Sequence, residues 1–156
     1  MTQFHGLVLA IDLAVAKRDH VLAELNRRLQ AHAFAQSQLD QLRQYADETE
    51  LRWAQAAQKS TTPELLHHHY QFMGRLQQAI ELQQGVLASC LGQLTSAQQT
   101  MLQAEFRLAG LKQVLSKRRQ EQTKIEQRRD QKQMDEFAAM QTLRQARQKL
   151  ESNYEC

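Results

Sequence analysis

Lys59-Ser60-Thr61-Thr62-Pro63-Glu64 is the one strong interruption in a chain of 156 residues. A hydroxyl residue precedes the proline and a carboxylate follows it. Thr62 is placed to cap a helix, Pro63 suits a first turn because its missing N–H would be unpaired there, and Glu64 favours the positive helix end. The same run ends any helix before it, since the residue ahead of proline avoids the helical region. The chain should therefore hold helix one over about residues 4–58, a turn over about 59–62 and helix two over about 63–153. At 1.5 Å per residue these span roughly 80 Å and 135 Å, so the second must outrun the first.

Away from that run, almost nothing stops a helix. Pro63 is the single proline, there are five glycines, and good helix formers (Gln, Leu, Ala, Arg, Lys, Glu) fill most positions. Gly74, Gly85, Gly92 and Gly110 fall on outward heptad positions, where each costs up to ~1 kcal/mol relative to alanine. Aromatic residues are 6% of the chain and mean hydropathy is negative, which predicts a narrow buried seam instead of a globular interior.

The seam can be followed residue by residue. In helix two, first core positions are Leu66, Met73, Ile80, Leu87, Leu94, Met101, Leu108 and Leu115, all apolar; second core positions are His69, Leu76, Gln83, Cys90, Ala97, Ala104 and Leu111. An unbroken 3.5-residue repeat specifies a left-handed supercoil with a partner helix. Helix one supplies Val8, Ile11, Val15, Leu22, Leu25, Leu29, Leu39, Ala46, Trp53 and Ala57 at the same spacing, diluted by Arg18, His32, Gln36, Arg43 and Glu50. A short turn makes the neighbours antiparallel, and folding about residue 61 pairs position n with roughly 122 minus n. The expected fold is all-α: over residues 1–156, a single two-helix antiparallel coiled-coil hairpin whose longer second helix overhangs at its C-terminal end.

Past the end of helix one, the repeat in helix two turns polar, through Arg118, Gln122, Ile125, Arg129, Lys132 and Glu136. A core stripe is not maintained where nothing packs on it. Ala139, Leu143, Ala146 and Leu150 then restore an apolar stripe, with Phe137 and Met140 beside it. That stretch has no partner in the chain and is expected to bind something.

Charge and chemistry narrow the function. Residues 1–60 carry seven basic and seven acidic groups, 61–110 two and three, and 111–156 eleven and seven, so the net +3 is C-terminal. Lys117, Arg118, Arg119, Lys124, Arg128, Arg129 and Lys132 form a basic run interleaved with Glu121, Glu126 and Asp130. A solvated helix with i,i+4 pairs accounts for such a run; binding to nucleic acid is weakened by the lack of interleaved aromatics and the small net charge. No nucleophile–base set, phosphate-binding loop or cofactor motif occurs, which argues against an enzyme and predicts no cofactor. His67, His68 and His69 point about 100° apart on a helix and cannot converge on one metal. Cys90 and Cys156 are lone thiols suited to a reducing cytosol. The apolar opening from Leu7 to Ala16 lacks a preceding Lys or Arg, is broken by Asp12 and has no cleavage site, so it is not read as an export signal. No run approaches the ~20 apolar residues of a membrane span, and a cytoplasmic protein is expected. Just after the turn, Phe72, Leu76, Ala79 and Gln83 follow at spacings of four, three and four. Leu76 and Gln83 are seam positions; Phe72 and Ala79 flank the seam and should be half exposed.

Three stretches resemble the flagellar export protein FliJ family, a coiled-coil component of the bacterial flagellar type III export apparatus. They are Tyr70-Gln-Phe-Met-Gly-Arg-Leu-Gln-Gln-Ala-Ile80 with Gln83 and Gln84 after it, Arg128-Arg-Asp-Gln-Lys-Gln-Met-Asp-Glu-Phe-Ala138, and Tyr45 late in helix one. The resemblance implies a stalk in the central hole of a hexameric export ATPase, similar in shape to the γ subunit of rotary ATPases. It also implies contact with the cytoplasmic part of the membrane export gate, a part in handling export chaperones, and attachment to the inner membrane through partners only. The gate-binding residues would be Phe72, Leu76, Ala79, Gln83 and Tyr45; the ATPase-facing ones Leu13, Arg118, Arg119, Arg128, Arg129 and Lys132. Phe137, Met140, Leu143 and Leu150 form the C-terminal partner stripe. Two other readings stay open: the equivalent stalk of a virulence type III secretion system, and a basic coiled-coil protein that binds nucleic acid.

Overall fold

The computed structural model describes residues 2–155. A 3-10 turn over Thr2–Phe4 leads into helix α1, His5–Ala57, and helix α2 runs over Pro63–Tyr154. Among the described residues there is no strand, and no helix is long and apolar enough to cross a membrane.

The link between the helices is built as its residues dictate. Thr62 Oγ1 accepts a hydrogen bond from the Leu65 amide at 3.2 Å, and the Thr62 carbonyl accepts from Leu66 at 3.0 Å. The first satisfies one of the amides that a helix start leaves without a partner, and the second is the opening backbone bond of α2. On the other side, the Ala56 carbonyl accepts from the amides of Lys59 and Ser60 at 3.1 and 3.3 Å, closing α1. Removing the cap by Thr62→Ala is expected to lower the unfolding free energy by about 1 kcal/mol, visible as a lower urea midpoint with an unchanged slope. An unchanged midpoint would mean that Pro63 alone starts α2.

Asp12–Leu108 forms one compact unit, in which α1 and α2 pack as an antiparallel hairpin. Its register is seen in side chains that meet across the pair. Trp53 stacks on His69 with ring centres 4.3 Å apart, Tyr45 meets Phe72, Gln83 reaches the Ala35 carbonyl, and Arg28 reaches Gln93. From Met73 to Leu108 the core positions of α2 are all buried or half-buried, and Ala79 is the one other residue of that stretch that is not exposed. Its two polar seam residues are accommodated: His69 lies flat on Trp53, and Gln83 donates to Ala35 at 3.0 Å. A buried amide without such a partner would cost about 1–3 kcal/mol.

The α1 seam differs from its sequence reading at Leu22, Leu29, Arg43 and Glu50, which are exposed. Arg18, Leu25, His32, Leu39, Ala46 and Trp53 are buried or half-buried as expected, as are Val8, Ile11, Val15, Gln36 and Ala57, and the row one residue earlier, at Ala14, Val21, Arg28, Ala35, Leu42 and Thr49, is buried or half-buried too. Leu22 and Leu29 are 40% and 44% exposed, and Arg43 and Glu50 face outward. The reason is size. Ala14 and Ala35 are almost fully buried, and a small side chain lets the backbones approach closely enough for Gln83 to bond the Ala35 carbonyl. A leucine row would hold the helices apart there.

The stretch up to Ile11 together with that from Ala109 onward forms the second compact unit. Within it Leu111, Leu115 and Gln122 are half-buried, and Gln3, Phe4, His5 and Val8 line a groove with Arg119, Gln122 and Glu126. Past Gln122 every described residue is exposed. Cys90 is a free, half-buried thiol; Cys156 lies outside the described residues.

Candidate functional site

In the Asp12–Leu108 unit, the five residues singled out near the turn divide by exposure. Leu76 is 8% exposed and belongs to the seam, and Gln83 is half-buried and held by the Ala35 carbonyl. Phe72 and Tyr45 are exposed and meet edge to face, with ring centres 6.0 Å apart and planes at 82°. Such a pair fixes both rings, so they form a pre-arranged apolar ridge. Ala79 is half-buried one heptad beyond Phe72.

The ridge is longer than the spacing of four, three and four suggested. Leu65, Phe72, Ala79 and Val86 recur every seven residues in a single column beside the seam, with Leu65 and Val86 about half exposed. That seven-residue recurrence was the available signal for Leu65 and Val86, and it lies one position before each first core residue. A column of this kind is what a partner helix packs on, since a helix reads another at heptad intervals.

The cationic run lies in the stretch from Ala109 onward, where Arg118, Arg119, Arg128, Arg129 and Lys132 are all exposed. Among the described residues, the ion pairs are Arg18–Asp19, Arg27–Glu24, Arg28–Glu24 and Arg52–Glu48, all on α1. The carboxylates interleaved with the cationic run are engaged in part by glutamines. Glu126 accepts from Gln122 at 3.3 Å, and further along Asp135 accepts from Gln131 at 3.1 Å. Among the described residues, no ion pair forms within this run. Leu13, in the Asp12–Leu108 unit, is 65% exposed.

Phe137, Met140, Leu143 and Leu150 are each more than half exposed, on a helix stretch that nothing described covers. Of the three histidines, His69 turns inward onto Trp53 while His67 and His68 are exposed with ring centres 6.4 Å apart. Among the described residues, no group of three or more metal-ligating side chains gathers.

The family model described as flagellar FliJ protein matches residues 5–147. No curated protein and no solved structure matches the chain.

Proposed function

The chain belongs to the flagellar FliJ protein family, and on that premise we propose that it is a component of the flagellar export apparatus, acting as a non-enzymatic stalk and adaptor in type III protein export. Its partners in this reading are the hexameric export ATPase, the cytoplasmic part of the membrane export gate and export chaperones. It works on the cytoplasmic side of the inner membrane and is held there through those partners, serving the assembly of a motility organelle.

Arg118, Arg119, Arg128, Arg129 and Lys132 would face the ATPase, with Leu13 as an apolar contact. The observation behind this assignment is that these five cations are exposed and have no carboxylate within ion-pair distance among the described residues. Exposed charges of this kind speed encounter and bind weakly one by one, which suits a partner that must cycle. The Phe72–Tyr45 ridge with Ala79 would contact the gate, Leu76 and Gln83 holding it in place from the seam beneath.

Stoichiometric addition of the chain to the purified export ATPase tests the proposal. Stimulation of hydrolysis is expected, weakening as ionic strength rises because exposed charges are screened within ~10 Å at 0.1 M salt. Arg118→Glu combined with Arg129→Glu should reduce the stimulation about tenfold while helix content by circular dichroism stays constant. Full stimulation by that variant would leave the cationic run a solvated helix surface.

A further inference from the structure

The apolar residues late in α2 keep the heptad frame of the hairpin seam. Sevens counted from Leu115 pass through Gln122, Arg129 and Glu136 to Leu143 and Leu150; sevens from Leu111 pass through Arg118, Ile125 and Lys132 to Ala139, Ala146 and Asn153. Over residues 139–150, leucine thus stands at both first core positions and alanine at both second ones. In the Asp12–Leu108 unit, the related order Leu94, Ala97, Met101, Ala104, Leu108 is buried or half-buried against an antiparallel helix. Leu143 and Leu150, by contrast, are 64% and 58% exposed.

We propose that this segment pairs with the same segment of a second copy of the chain, antiparallel across a two-fold axis. In an antiparallel pair first core positions meet second ones, so each leucine lies over an alanine and the layers fill. Leu143 faces the partner's Ala146, Leu150 faces the partner's Ala139, and the symmetry repeats both contacts, with Glu136 against the partner's Asn153 at either end. Beside the seam, Arg147 meets the partner's Met140 and Lys149 the partner's Thr142, so no like charges oppose. A parallel pair would set alanine on alanine, leaving voids. It would also bring Arg118, Arg129 and Lys132 each onto its own copy, a repulsion of about 1 kcal/mol or more per contact at 4 Å. Four apolar layers make an interface smaller than the ~1,200 Å² of a stable complex, so the dimer is reversible and concentration-dependent.

Sedimentation equilibrium of the full chain from about 1 µM to about 300 µM tests this. The weight-average mass should climb from one chain toward two, and Leu143→Glu with Leu150→Glu should hold it at one chain with the thermal unfolding of the hairpin unchanged. Direction is read by disulfide trapping in a Cys90→Ala, Cys156→Ser background. Chains carrying Glu136→Cys mixed with chains carrying Asn153→Cys should link to each other, and neither should link to itself. A monomer throughout the range, a dimer that survives both glutamates, or self-linking of either single-cysteine chain would each overturn the proposal. So would binding of the stripe to vesicles of anionic lipid without any self-association, the other use of a basic amphipathic helix.

Discussion

Leu39→Ala is expected to lower the unfolding free energy by about 3 kcal/mol, whereas Leu29→Ala should cost less than about 1 kcal/mol. The two leucines belong to the same heptad array by sequence, and hydrophobicity alone ranks them equal. In the hairpin Leu39 is 2% exposed and Leu29 is 44% exposed. Truncating Leu39 removes its transfer free energy and leaves a cavity in a seam only two helices thick. Leu29 loses only the part of its surface that touches its own helix and the edge of the pair. Urea denaturation of the two variants, compared at constant slope, separates them. A Leu29→Ala loss equal to or larger than that of Leu39→Ala would place the α1 seam in the other phase, with Leu22 and Leu29 facing α2.

Phe72 and Leu76 stand one turn apart and are expected to fail in different ways. Phe72→Asp should weaken binding to the cytoplasmic part of the export gate by tenfold or more, about 1.4 kcal/mol. It should cost the hairpin no more than about 1 kcal/mol, the worth of an exposed edge-to-face pair. Leu76→Ala removes a seam residue that is 8% exposed, and a loss of about 2–3 kcal/mol in stability is expected. Gate affinity should stay near that of the unchanged chain at temperatures where the hairpin is still folded. Calorimetric titration at low temperature, paired with thermal unfolding, distinguishes the two effects. Unchanged affinity of Phe72→Asp alongside a lower melting temperature would make the ridge ordinary packing at the mouth of the hairpin.

The exposure of the cationic run and of the later apolar stripe was legible because its signal is one of composition. The core row turns polar apart from Ile125, then an apolar stripe resumes, and exposure follows where no helix packs on it. The ridge near the turn was only partly legible. Phe72 and Ala79 were expected to be half exposed, but the seven-residue column joining them to Leu65 and Val86 is seen only when the flanking positions of α2 are sorted by exposure. The edge-to-face contact between Tyr45 and Phe72 depends on the register of the two helices to within a residue or two, which a turn of uncertain conformation cannot specify.

From the residues alone it is determined that this chain is two helices joined near Pro63, and which face of α2 is inward. Proline and a capping threonine act locally, and an eight-heptad apolar row has one phase that fits. The inward face of α1 was decided by tertiary packing. Val21 against Leu22, Arg28 against Leu29 and Ala35 against Gln36 are rival choices one residue apart, each compatible with a 3.5-residue repeat. Hydrophobicity favours the leucines, but close approach of two backbones favours the small side chains of Ala14 and Ala35, and the shape of the facing helix is a quantity that no single segment carries.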